Sequence, residues 1–153
     1  MKRYKIEIFK SFEKATIYTI HEQNAEYSET DDFLIRFKDN PDHNEDIQTI
    51  KYWITKIGST GVLERHFRPE NDAVAIPLGR SGLRLYGFRI TNEILILGNG
   101  GKKTSQLVKD SPDAYPHFQL MNSVAYIINL KIQKEEITMN GSDLNGDLTF
   151  FVK

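Results

Sequence analysis

Gly98-Asn99-Gly100-Gly101-Lys102-Lys103-Thr104 is the segment of this chain most suggestive of chemistry. A glycine loop leaving a strand can turn successive backbone N–H groups toward an anion, and the lysines add charge. The nucleoside-triphosphate form of that loop fails on spacing. It needs a glycine, four residues, then Gly-Lys-Ser/Thr, but position 96 is Ile and Lys102 is followed by Lys103. No second strand ends in a magnesium-binding acid. Looser contact with phosphate, such as an RNA backbone, stays open. Beside it stands the plainer reading of a glycine-rich turn with unusual backbone angles.

Two other stretches carry candidate groups. Glu64-Arg65-His66-Phe67-Arg68-Pro69 sets a histidine between two arginines. Like charges close by disfavour an imidazolium, so His66 is a candidate acid or base near neutral pH. The alternative is an exposed loop. Arg84, Tyr86 and Phe88 alternate with Leu83 and Leu85, which places them on one face of a strand, with Arg80, Lys102 and Lys103 at strand ends. Such a face could bind phosphates and stack a base. RNA cleavage without a metal asks for that set: cations for the pentavalent phosphate and a proton donor and acceptor near the 2′-OH. An amphipathic strand with a solvated face is the bland alternative. Arg89 shares parity with the apolar residues, so it sits past the core edge or is buried and paired. The candidate catalytic residues are therefore Arg84, Lys102, Tyr86 and His66. The candidate nucleic-acid contacts are Arg65, Arg68, Arg80, Arg84, Arg89, Lys102 and Lys103.

A metal site is not expected. His21, His43, His66 and His117 are scattered without ligand spacing. Asp143, Asn145 and Asp147 start like a calcium loop, but Leu148 stands where its glycine belongs and no glutamate follows. No cofactor is expected either.

The chain has 153 residues, which suits one domain over 1–153. It has no cysteine, which excludes thiol catalysis and thiolate zinc sites and fits a reducing compartment. MKRYKIEIFK is too charged for a signal peptide, and no apolar run approaches the roughly 18 residues of a membrane span, so a cytoplasmic location and no membrane partner are expected. Net charge is −1, which argues against a strongly basic nucleic-acid binder. That average hides an asymmetry. Glu22, Glu26, Glu29, Asp31, Asp32, Asp39, Asp42, Glu45 and Asp46 outweigh Arg36 and Lys38 in one stretch. Arg65, Arg68, Arg80, Arg84, Arg89, Lys102 and Lys103 outweigh Glu64, Glu70, Asp72 and Glu93 in another. A locally positive surface and ordinary solvated faces both fit.

Alternation predicts strands over Tyr4 to Phe9 and Ala15 to His21, joined as a hairpin through Lys10 to Lys14. Ser28 or Thr30 caps a short helix carrying Phe33, Leu34 and Phe37, which stops near Asn40-Pro41. Ile47, Ile50, Ile54 and Ile57 mark a second helix ending at Gly58, and the two helices should face the same side of a sheet. Strands follow at Ala73 to Leu78, Leu83 to Ile90 and Glu93 to Leu97, the last placed centrally and broken at Gly98. Phe118, Met121, Ala125, Ile128 and Ile132 predict a long helix with Pro116 in its first turn. Asn140-Gly141 and Asn145-Gly146 are turn signals, and Leu148, Phe150 and Val152 predict a final strand. The fold class expected is α+β: an antiparallel sheet packed by a helix hairpin and one long C-terminal helix.

A helix hairpin, three successive strands and a Lys-Lys-Thr end resemble the RelE/ParE/HigB-like toxin superfamily. Leu83-Arg84-Leu85-Tyr86 is similar to that family's Tyr-Arg-Ile-Leu type of strand. Ile94-Leu95-Ile96-Leu97 with Lys102-Lys103-Thr104 is similar to its last strand and basic end. Arg80 matches its first strand end less well. The likeness spans about the middle half of the chain. It implies a RelE-like core with extra N- and C-terminal strands. It also implies metal-independent endoribonuclease activity or RNA binding, with RNA or the ribosome as target and an antitoxin protein as partner. Arg84, Lys102 and Lys103 would then contact phosphate, with Tyr86 beside them. The chain departs in its length, its neutral charge and the absence of Tyr or His at its end. A non-catalytic module of the same fold, binding a protein partner, is the alternative. The toxin reading predicts Arg84 and Lys102 on one positive face; the module reading predicts that the basic residues are dispersed or already paired with acids. A small-molecule enzyme would need a deep pocket beside Gly98 to Gly101.

Overall fold

The computed structural model describes residues 1–76, 78 and 82–153. Arg80, one of the expected phosphate contacts, lies outside the described residues, as does Pro77 of the strand expected over Ala73 to Leu78.

The alternating N-terminal segments form the expected hairpin, β1 (Lys2–Ser11) and β2 (Thr16–Glu22). The Phe12 N–H closes it by donating to the Ala15 carbonyl at 2.8 Å. Of the two candidate caps, Ser28 starts α1 (Glu29–Phe37): its Oγ accepts from the Asp31 N–H at 3.1 Å. Thr30 is instead buried, and its hydroxyl donates to the Gly98 carbonyl at 2.8 Å. Helix α2 (Asn44–Thr60) buries Ile47, Ile50, Ile54 and Ile57 as their spacing requires. It runs through Gly58, where it was expected to end, and stops at Gly61 with φ 101°. Gly58 lies inside the helix because the Phe12 ring packs against it, in the space a Cβ would need.

Two short strands follow, β3 (Arg68–Glu70) and β4 (Ala73–Ala75), then β5 (Leu83–Thr91) and β6 (Ile94–Lys102). Helix α3 (Tyr115–Gln133) has Pro116 in its first turn, as expected. The chain closes with β7 (Ile137–Asn140), β8 (Asp143–Gly146) and β9 (Thr149–Val152). β7 and β8 form a separate ribbon turning at Gly141.

The main sheet runs β3-β4-β5-β6-β2-β1-β9, with β6 central as its apolar sequence suggested. It is antiparallel except at one place. β2 and β6 run parallel, from Thr16 opposite Ile94 to Thr19 opposite Leu97. Helices cover both faces. α1 and α2 pack on Ile17, Leu83, Leu85, Leu95 and Leu97; α3 packs on Tyr4, Ile6, Tyr18, Tyr86, Phe88 and Ile96. A strand buried on both faces reads as a continuous apolar run, which is what β6 shows.

The glycine segment is not a loop. β6 continues through Gly98, Asn99, Gly100 and Gly101 to Lys102. Leu97 pairs with Gly87 and Gly100 with Leu85, so β6 spends three steps where β5 spends two. That extra residue is a β-bulge. The Gly100 backbone lies so close to the Arg84 carbonyl that a Cβ would overlap it. Gly100→Ala should therefore cost about 1–3 kcal/mol of stability by forcing two backbones apart, read as a lower urea midpoint with an unchanged slope. An unchanged midpoint would remove close approach as the reason for this glycine.

Candidate nucleic-acid interface

Register sorts the expected site residues. Arg68 pairs with Ala75, and Ala75 with Tyr86, so all three point to the α3 face. Arg84 is two residues from Tyr86 on the same face. Lys102 pairs with Leu83, which is buried under α1 and α2. Arg84 and Lys102 thus sit at one end of the sheet on opposite faces, not on the single face the toxin reading predicted. Lys103 follows at the same end, its N–H donating to the Gly82 carbonyl at 2.6 Å.

The expected open face of Arg84, Tyr86 and Phe88 is covered by α3. Tyr86 is fully buried and meets the Phe118 ring edge-on at 5.9 Å. Its hydroxyl has no hydrogen-bond partner among the described residues. Burial first, then Glu70, pushes the phenol up to about 12, while Arg84 and Arg68 pull it back. Tyr86 therefore stays protonated near neutral pH, and it lies enclosed under α3 rather than on the open face expected of it. Arg84 is half-buried, and one guanidinium N–H donates to the Leu83 carbonyl at 2.8 Å. Arg68 is exposed, with Glu70 at 3.8 Å.

The other candidates lie elsewhere. Arg89 caps the far end of β5: it donates from Nε to the Val62 carbonyl at 2.8 Å and from the guanidinium to Asn92. It is half-buried and paired, at the end of the strand where the core stops. Exposed Arg65 shares a shallow concavity with it. His66 is not in an exposed loop. It is buried against Trp53 at 5.5 Å, on the α2 side, away from Tyr86. Burial first, then Arg65 and Lys56, lowers its pKa. The unfolded chain therefore binds the proton more readily, so stability should fall as pH drops through roughly 6.5. Urea midpoints at pH 7.5 and 5.5 check this: the drop should shrink in His66→Phe, and an equal drop in both proteins would assign it to other groups.

No family model, curated protein or solved structure matches this chain.

The site includes a network that neither motif nor spacing revealed. The bulge lets Asn99, buried in β6, reach α1. Its Nδ2 donates to Asp32 at 2.9 Å and to Glu29 at 3.4 Å. Its Oδ1 accepts from Arg36 at 2.5 Å and from the Gly100 N–H at 2.7 Å. Arg36 also donates to the Gly100 carbonyl at 2.6 Å and to Asp32 at 3.1 Å, and lies 3.5 Å from Asp113. Asp113, just before α3, accepts from the Lys102 N–H at 2.7 Å. One side chain thus ties α1, β6 and the start of α3 together. The available signal was a lone polar residue following an apolar strand, and an arginine in an acidic stretch.

Proposed function

We propose that this chain is a toxin-like RNA-binding protein that contacts the phosphate backbone along a two-faced rim, where β5 starts and β6 finishes, rather than on the single positive face the resemblance implied. One observation carries the reading. Arg68, Arg84, Lys102 and Lys103 gather at that end, although local charge is balanced over the chain as a whole. Backbone recognition needs only cations spaced along a path, and it tolerates their lying on two faces of a sheet rim. The order of a helix pair, then adjacent strands, then a basic end is also the order the family resemblance requires. The reading is of binding rather than cleavage. His66 and Tyr86 lie on opposite sides of the sheet, so these two do not flank one phosphate as donor and acceptor.

Growth of a bacterial host on induction tests it. The wild-type chain should slow growth, and Arg84→Ala/Lys102→Ala, at equal soluble yield, should relieve the effect. Unaffected growth with folded, soluble wild-type protein would favour the alternative of a non-catalytic module that binds a protein.

A further inference from the structure

The main sheet has two edges, and only one is protected against pairing. β3 holds Pro69, which has no N–H to offer, between Arg68 and Glu70, themselves 3.8 Å apart. β9, at the other edge, reads Thr-Phe-Phe-Val, without charge or proline. Register fixes where its backbone points. The Ile6 N–H donates to the Leu148 carbonyl at 2.8 Å, and Arg3, opposite Phe151, turns its carbonyl the other way, to the Gln23 N–H. Leu148, Phe150 and Val152 therefore bond β1, while Thr149 and Phe151 aim their N–H and C=O groups outward. Among the described residues, no strand meets that outer side. Apolar side chains gather along it. Phe151 is 57% exposed, Tyr126 of α3 62% and Met1 80%, and the three line one groove of about 630 Å³ between β9 and α3.

We propose that this edge is a homodimer contact, in which β9 pairs antiparallel with β9 of a second copy about a two-fold axis at Phe151. In that register the strand complements itself. Phe151 exchanges both backbone hydrogen bonds with Phe151 of the second copy, and Lys153 falls opposite Thr149. No like charges face each other across the pair. Lys153 also comes beside Asp147 of the second copy, whose carboxylate accepts from Thr149 Oγ1 at 2.9 Å. On the other face Phe150 meets Val152 in a closely spaced pair. The axis stands perpendicular to the sheet, so both α3 helices stay on one face and Tyr126 of each closes the groove. An unrelated extended peptide would pair the backbone without this match of charge at both ends. The contact is shorter than a standard interface, so the dimer should be weak, half-formed at about 100 µM.

Sedimentation equilibrium of the full chain without RNA, from about 10 µM to about 1 mM, should show monomer and dimer in exchange. Phe151→Lys, at an exposed position, sets two like charges face to face and should stay monomeric, as should Phe151→Glu. Mixing these two variants should restore the dimer, because opposite charges then meet at the axis. Circular dichroism should show both variants folded like the wild type. A wild-type chain monomeric at every concentration, a dimer that survives in Phe151→Lys, or a mixture that stays monomeric would overturn the proposal. With no RNA present, none of these results bears on binding at the basic rim.

Discussion

Arg84→Ala/Lys102→Ala should weaken binding of single-stranded RNA about 100-fold, roughly tenfold for each charged phosphate contact removed. The salt dependence should fall with it. Each phosphate contact on a single strand contributes about 0.7 to the slope of log affinity against log salt, so the slope should drop by about 1.4. Fluorescence anisotropy with a labelled oligonucleotide at several salt concentrations reads both quantities. The charge-matched control is Lys51→Ala/Lys134→Ala, two exposed lysines away from the rim. It should lose little affinity. Equal losses in the two variants would mean that the chain attracts RNA through diffuse charge alone. The two sites differ in structural risk. Lys102 is half-buried at the end of β6, whereas Arg84 sits over the buried Tyr86, so circular dichroism on Arg84→Ala must accompany the titration.

Asn99→Ala should cost about 2–4 kcal/mol of stability, the largest single-residue loss expected outside the apolar core. The amide satisfies four partners at once: Asp32, Glu29, Arg36 and the Gly100 N–H. Removing it leaves a buried backbone donor and loosens the charges that join α1 to β6. Asp32 and Arg36 are partly exposed, so solvent screens some of that loss. Asn99→Asp separates the effects. It keeps the acceptor for Arg36 and Gly100 but replaces the amide donor with a third acid facing Glu29 and Asp32, so it should destabilise most at pH values where all three are ionised. Urea unfolding of the two variants at neutral and mildly acidic pH decides between them. A loss below about 1 kcal/mol in Asn99→Ala would show that water replaces the amide and that the network is not what fixes α1.

Local pattern disclosed the elements well where one side of the backbone was apolar and the other was not. The hairpin of β1 and β2, the isoleucine stripe of α2 and the stripe of α3 all carry a period that only one geometry satisfies. Three things did not show. Glycine marks turns by its conformational freedom, but Gly58 and Gly100 are small for packing reasons, so α2 and β6 run past the points where they were expected to stop. The parallel pairing of β2 with β6 depends on partners far apart in the chain, which no window of residues contains. The cover of α3 over Arg84, Tyr86 and Phe88 also depends on tertiary placement. A strand with one apolar and one mixed face is compatible with either a wet or a buried second face.

The site was legible in part for the same reason. Basic residues near the start of β5 and the end of β6 stand out by composition. Their separation onto two faces follows from the register of Leu83 opposite Lys102 and Arg84 opposite Gly101, set by the bulge in β6. His66 looked like a poised base because its neighbours in sequence are arginines. Its pKa is lowered, but mainly by burial against Trp53, with Arg65 a lesser cause. Glu29, Asn99 and His117 lie far apart in the chain; Asn99 meets Glu29 at 3.4 Å, and Glu29 lines a cavity with His117.

Photo-crosslinking of the full chain to single-stranded RNA carrying 4-thiouridine, followed by mass spectrometry of the linked peptides, tests the central claim most directly. RNA binding at the sheet end predicts crosslinks in peptides holding Arg68, Arg84 and Lys102-Lys103, lost at high salt. Crosslinks concentrated on α2 or around Arg65 and Arg89, or none at RNA concentrations that saturate a known binder, would contradict it.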